Sequence, residues 1–383
     1  MADRRCSRGR RSQRGKFPLE EKVLIIRDKE VRQILTMDLT LAALESSFRE
    51  LGEGSGLNRT RTHTYLPTSQ EGVAFRYKTF EGGLTKAGYY GMRIFHDRLS
   101  YPTVSGAQRQ VKHYWDDKYA NGLAVVTDMV ENRMVALIAD GWLSLLRVGG
   151  TSALGTQYLA RPDATRVGLL GSGWQARGLA MGLACVRSLE AIKVYSPNEV
   201  NRKRFAADMS EFLAIPVNTV ESPDAAMEDV DIVATATNSM EAVVKAEWFK
   251  PGVHVVAGAH ACEVSDEVLR KADRAVIAQH DVGMEFRNAE IENGRNSRKY
   301  VLQGELEKQR ESNLREMGHL GDLVCGRIPG RQEPKQMTLM INNFGMGTQF
   351  AALGGKVYEL AQQHGMGFEI PYEYLLSEYK WDA

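Results

Sequence analysis

The stretch VGLLGSGWQARG, residues 167–178, constrains this chain more than any other. An apolar run, RVGLL, leads into Gly171-Ser172-Gly173-Trp174-Gln175-Ala176, a GxGxxA turn, and a helical pattern opens directly after it. Gly171 permits a sharp turn. Gly173 has no Cβ, so backbone amides can approach a pyrophosphate at the positive end of the helix. A ligand-free structural turn is the other reading of such glycines, but the strand before and the helix after favour a dinucleotide.

Downstream, strand-like and helix-like segments alternate. RVGLL precedes the helical WQARGLAMGLACVRS, and AIKVY precedes NEVNRKRFAADMSEFLA. IPVNTV, DIVATA, HVVAGA and AVIAQ continue as buried-type strands, and QMTLMINNFG gives a last one before the long helical MGTQFAALGGKVYELAQQHGMG. That order predicts a doubly wound, Rossmann-type parallel sheet covered by helices on both faces. The polar stretch 280–335 yields no clear element.

Upstream the pattern differs. DLTLAALESSFRELGEG places Leu41, Leu44, Phe48 and Leu51 on one helical face and ends in glycine. Between about residues 60 and 137, THTYLP, FRYKTFEG, GYYGMRIF, QVKHYW, GLAVVTDM and NRMVALI are short β-rich pieces, with a turn at Glu131-Asn132. They predict a mostly antiparallel sheet in a second, α+β domain. SLLRVGGTSALGTQYLA then returns to helical spacing. A chain of 383 residues exceeds one ordinary core. The expected division is a basic tail over 1–20, one domain from 21–150 plus 345–383, and the dinucleotide-binding domain over 151–344.

Charge excludes some partners. With 49 basic and 48 acidic residues the net charge is +1, too little cation surplus for a general nucleic-acid binder. The first sixteen residues hold seven Lys/Arg against one acid, which reads as a solvated, disordered tail and not a secretory signal. No apolar run is long enough to span a membrane, since Asp140 and Arg147 interrupt the best candidate. Cys6, Cys185, Cys262 and Cys325 have no metal-type spacing, so no metal is expected, and idle thiols point to a cytoplasmic protein.

The second strand of the parallel sheet decides between cofactors. An NAD site places a carboxylate at its carboxyl end. Glu190 precedes AIKVY and lies at the wrong end, whereas the proper end reads Ser196, Asn198, then Arg202, Lys203 and Arg204. Hydroxyl, amide and cations favour NADP(H) over NAD(H); the same cations also fit a solvated helix face. Loops at the carboxyl ends of DIVATA and HVVAGA line the ligand crevice of such a fold, which makes Thr235, Thr237, Asn238, Gly258 and Ala259 candidate cofactor contacts or plain loop turns.

These segments, with IADGWLSLLRVGGTSALGTQYLA, ATATNS, KPGVHVVAGA, HLGDLVCG and FGMGTQFAALGGKVYELA in order, make the chain resemble the ornithine cyclodeaminase/mu-crystallin family from about residue 25 onward. The resemblance implies a homodimer built by the N-terminal sheet, which also binds substrate, and a C-terminus that folds back onto it. It implies hydride transfer at a carbon bearing nitrogen. On the family pattern Arg147 grips a substrate carboxylate, a task suited to a guanidinium fork. Arg61, with Arg59 as rival, is a second carboxylate contact or a surface cation.

Two departures matter. Arg93 stands where the family carries a lysine, and arginine does not release its proton, so binding and charge stabilisation remain to it. His260 stands where cyclodeaminases carry an aspartate, which disfavours ornithine and leaves an acid/base group or a pocket-lining residue. Gln349-Phe350 also replaces an expected acid–amide pair. The expected function is reduction of an α-imino or related oxo acid by NAD(P)H, or the reverse oxidation. An ornithine cyclodeaminase with bound NAD and a non-catalytic NADPH-binding protein are the alternatives.

Overall fold

The computed structural model describes residues 21–104, 106–116, 120–259, 261–279, 285–288, 317–342 and 345–376. The basic tail over 1–20 and His260 lie outside the described residues.

Among these residues the parallel sheet has eight strands, in the order Val217–Thr219, Ala191–Tyr195, Arg166–Leu170, Ile232–Thr235, His254–Ala257, Thr338–Ile341, Arg274–Ile277, Gly318–His319. Every neighbouring pair is parallel. The central strands are buried along their length, save Arg166 at the start of Arg166–Leu170, as near-continuous apolar runs require. Strand order reverses between Arg166–Leu170 and Ile232–Thr235, and a crevice opens at the carboxyl ends of such a pair.

The other sheet has ten strands, eight of them in the order Glu285–Asn288, Thr62–Pro67, Ala74–Leu84, Tyr89–Ser100, Asn121–Asp128, Arg133–Ala139, Lys22–Ile26, Phe368–Pro371. It is antiparallel except at two pairings. Lys22–Ile26 runs parallel to Arg133–Ala139, and Glu285–Asn288 runs parallel to Thr62–Pro67. The turn at Glu131-Asn132 forms, with Asn132 at φ 51° and the Asp128 carboxylate accepting from the amides of Val130 and Glu131.

Helices join the two sheets. α1 (Asp28–Ile34) and α2 (Met37–Glu53) precede the antiparallel strands, and α2 ends on Gly54 at φ 82°. α3 (Gly141–Leu159) is apolar nearly all round and buried, and it runs unbroken through residue 150. It packs on α4 (Trp174–Val186), where a Cβ on Gly149 would stand 1.9 Å from the Gly178 carbonyl oxygen. The C-terminal helix Gly347–Gln363 lies on the antiparallel sheet as closely: a Cβ on Gly91 would stand 2.2 Å from the Ala351 nitrogen. One continuous core therefore runs from the first sheet through α3 and α4 to the second.

Candidate active site between the two sheets

A cavity of about 1110 Å³ lies between the carboxyl ends of the parallel strands and the inner face of the antiparallel sheet. Its dinucleotide side is built by the glycine turn. Gly171 has φ +113°, and a Cβ there would stand 2.3 Å from the Ala236 carbonyl oxygen, so only glycine fits. Gly173 caps α4 without a side-chain bond, and a Cβ on it would meet nothing within 4 Å. The space before the helix is thus open, and the first amides of α4 face it. Ser172, Trp174 and Gln175 line the same wall, and the buried Oε1 of Gln175 has no hydrogen-bond partner among the described residues. An open helix end with an orphaned amide oxygen fits a dinucleotide phosphate and its ribose. Ala176 is fully buried behind the turn and does not reach the cavity.

At the end of the second strand Ser196, Asn198 and Asn201 line the cavity. Ser196 Oγ lies 2.7 Å from Ser172 Oγ, and Asn198 caps α5 (Glu199–Leu213) by accepting from the Asn201 amide. Arg202 corrects the expectation drawn for it. Its side chain turns under α5, donating to the Ser196 carbonyl at 2.8 Å and to Glu221 at 2.8 Å, with the guanidinium over Tyr195. It lies at 3% exposure and does not line the cavity. Thr235 is also corrected: it is buried beneath the floor, where its carbonyl accepts from Gly258.

Thr237, Asn238, Gly258 and Ala259 do line the cavity. The buried Glu263 carboxylate, which sequence reasoning missed, holds both loops by accepting from the amides of Thr237 (2.6 Å) and Ala259 (3.3 Å). Asn238 bridges the sheets. Its carbonyl accepts from the Gln110 amide, its Nδ2 donates to the Gln110 carbonyl, and its Oδ1 accepts from Arg109.

The opposite wall is a grid of side chains on one sheet face. Antiparallel register sets Phe80 against Arg93, Lys78 against both His63 and Phe95, and Arg76 against both Tyr65 and Asp97. Arg93 is ion-paired with Asp140, the residue that begins α3, and packs on Phe80, Phe95 and Phe350. Arg76 forms a bidentate pair with Asp97, at 3.0 and 2.7 Å. Arg61 and Lys112 complete the wall. Neither His63, Arg76, Lys78 nor Lys112 was singled out from sequence. Burial, and then Arg61 and Lys78, hold the His63 imidazole well below its usual range, so it is neutral.

Arg147 faces this grid from α3, at 9% exposure. Among the described residues its Nε has no hydrogen-bond partner, and its Nη1 reaches only Gln349 Oε1, at 3.5 Å. Gln349 is fixed by Thr151 and the Met346 amide. Burial, followed by the Arg93 cation, lowers the Arg147 guanidinium to about 9 against the pull of Asp140, which still leaves it charged at neutral pH. Among the described residues it is a buried cation with no ion pair.

This fold and cavity define a Rossmann-type protein whose glycine turn opens on a crevice that faces a cationic wall. Residues 111–365 match the Ornithine cyclodeaminase/mu-crystallin family, and the chain belongs to that family. A Delta(1)-pyrroline-2-carboxylate reductase of Bacillus cereus is 24% identical over 351 residues, covering 91% of this chain and 100% of the relative. An alanine dehydrogenase of Archaeoglobus fulgidus is 24% identical over 364 residues, covering 91% and 98%. The solved Delta(1)-pyrroline-2-carboxylate reductase of Thermococcus litoralis, in complex with NADH and L-proline, shares the fold with a TM-score of 0.71 at 24% identity, over 91% of this chain and 100% of that one.

Proposed function

We propose that this protein reduces the C=N bond of an α-imino acid, or the C=O bond of a related oxo acid, with a nicotinamide cofactor, and runs the matching oxidation in reverse. The observation that carries this reading is the placement of Arg147: a buried guanidinium with no ion pair among the described residues faces the Gly171–Gln175 cradle across one cavity. A substrate carboxylate supplies the missing anion, and a bidentate clamp fixes the carbon beside it. The cofactor, when bound, supplies a hydride to that carbon. The imine nitrogen takes a proton, and the product is an amino acid. His260 or water gives that proton; with His260 as donor, activity falls as its imidazolium deprotonates, and His260→Ala flattens the alkaline limb of the pH–rate profile. Arg93, neutralised by Asp140, positions Phe80, Phe95 and Phe350 around the reacting end.

The reductases and dehydrogenase named above act on, or bind, amino acids and cyclic imines, which supports this chemistry. Arg147→Ala tests it. Loss of a buried charge partner lowers kcat/KM for a carboxylate-bearing imine by about 10²–10³-fold, while cofactor affinity read by nucleotide fluorescence stays within a few-fold. Unchanged kinetics overturn the assignment.

The proposal extends to NADP(H) over NAD(H). Its support is the set of uncharged polar groups, Ser196, Asn198 and Asn201, that line the second strand's end, where no described carboxylate faces the cavity. Dissociation constants for the two reduced cofactors decide it, and equal values reject the preference. We further propose a cytoplasmic homodimer, supported by the free thiols of Cys185 and Cys325 and by the family's N-terminal sheet, with the substrate-binding part over 21–150 and 345–383 and the cofactor-binding part over 151–344. Light scattering of the full chain measures the oligomer.

A further inference from the structure

The cavity wall carries more positive charge than a single substrate carboxylate needs. Arg61, Arg76, Lys78, Arg93, Arg109, Lys112 and Arg147 all line it, against Asp140 as the one described carboxylate. Two of these cations are already matched, Arg93 by Asp140 and Arg76 by Asp97. Arg147 takes the carboxylate next to the reacting carbon. Four then remain: Arg109 donates to the Val104 carbonyl and to Asn238 Oδ1, Arg61 has contacts of its own, and Lys78 and Lys112 stand along the grid beyond Arg93.

Lys78 stands in the middle of the grid, one rung from Phe80 and Arg93, and its partner among the described residues is the Phe95 ring, 4.6 Å from Nζ. Lys112 enters from Val111–His113, which pairs with the end of the Tyr89–Ser100 strand beyond Asp97. Protein surrounds both ammonium groups, yet both keep solvent access through the cavity. Burial, then Arg76, drives both below the ordinary lysine range, Lys112 to about 8, with Asp97 alone opposing. Two cavity-facing ammonium groups that form no ion pair among the described residues leave positive charge on this wall for an anionic ligand to neutralise.

We propose that Lys78 and Lys112 form a distal anion subsite, and that the substrate is an acidic imino or oxo acid bearing a second carboxylate at the far end of its carbon chain. Successive same-face rungs of a strand are ~7 Å apart, so a short dicarboxylate spans from the Arg147 end of the grid to the Lys78 rung. The aromatic rings of Phe80 and Phe95 flank its aliphatic middle. This inference rests on the assignment of Arg147 to the proximal carboxylate.

Succinate, succinamate and butyrate, titrated into the full-length protein saturated with oxidised cofactor, test the subsite without any turnover. Succinamate keeps the length and one carboxylate but loses the second charge. The expected result is that succinate binds about tenfold or more tightly than succinamate, and that Lys78→Gln and Lys112→Gln each bring the two ligands towards parity. Equal binding of succinate and succinamate overturns the proposal, as does a succinate preference that survives in both variants. Lys112→Gln lies at a solvent-accessible position, so the comparison stands even if Lys78→Gln folds poorly. Reduction of monocarboxylic imines with no succinate preference rejects the subsite and keeps the reductase. A lysine-dependent succinate preference with no turnover of any imine or oxo acid rejects the reductase and keeps the subsite.

Discussion

His254 shows how one buried side chain fixes a pH dependence. It is fully buried in the parallel sheet, with its ring nitrogens 3.1 Å from Thr156 Oγ1 and 2.9 Å from Thr338 Oγ1. Burial first, then the cations of Arg331 and Arg187, press the imidazole down to about 3. The unfolded chain takes up this proton near 6.5. Between those values the unfolded state binds the extra proton, so stability falls as pH drops through the window and returns as it rises. The slope from this group approaches about 1.4 kcal/mol per pH unit. Urea unfolding of the wild type and His254→Gln from pH 4 to 7 measures it; parallel pH slopes in the two proteins reject the assignment. Arg202 carries a different residue-scale lesson. Arg202, Phe205, Ala206 and Met209 form the buried face of α5, and that i, i+3, i+4, i+7 spacing is present in the sequence. The phase of the helix, and not the charge of the residue, was the signal that turned Arg202 away from the cofactor.

At the scale of elements, the strand–turn–helix of residues 166–186 separates folding from binding. Gly171 is required by backbone conformation and by the Ala236 carbonyl, whereas Gly173 faces open space. Gly171→Ala therefore lowers stability by about 1–3 kcal/mol, from strain at positive φ plus the clash. Gly173→Ala leaves the melting temperature within about a degree or two. It weakens cofactor binding, because its methyl group occupies the phosphate cradle. Thermal melts with and without cofactor separate these outcomes, and a destabilised Gly173→Ala with intact affinity contradicts them. Glu263 belongs to the same scale: Glu263→Ala frees the Thr237 and Ala259 amides and lowers cofactor affinity, measured by the same titration. The glycine turn was legible because its chemistry is local. Glu263 was not, because Thr237, 26 residues away, is brought to it only by the side-by-side strands Ile232–Thr235 and His254–Ala257.

For the molecule as a whole, the parallel sheet followed from the alternation of apolar strands and amphipathic helices. The antiparallel strands were visible as β-rich pieces, and their partners were not. Lys78 becomes a neighbour of Phe95, and Arg76 of Asp97, only through the register of Ala74–Leu84 with Tyr89–Ser100. The strands Lys22–Ile26 and Phe368–Pro371 lie too far apart in the chain for any local pattern to join them. Deleting residues from 366 onward exposes the Lys22–Ile26 edge and removes the bond from the Met134 amide to the Tyr372 hydroxyl. That variant melts several degrees lower and aggregates on heating, as light scattering during a thermal ramp reports; an unchanged melt shows the closing strand to be dispensable.

The pairing of Lys22–Ile26 with Phe368–Pro371, so far apart in the chain, has a consequence for biosynthesis. While the polypeptide is still emerging, Lys22–Ile26 can find Arg133–Ala139, and the glycine turn can assemble with its parallel neighbours. The helix Gly347–Gln363, which steadies Arg147 through Gln349 and covers Gly91, arrives later than both. A nascent chain on the ribosome can thus hold a nucleotide cradle well before it possesses a finished chamber for the acid, so catalytic competence waits until residues 347–363 have emerged and packed.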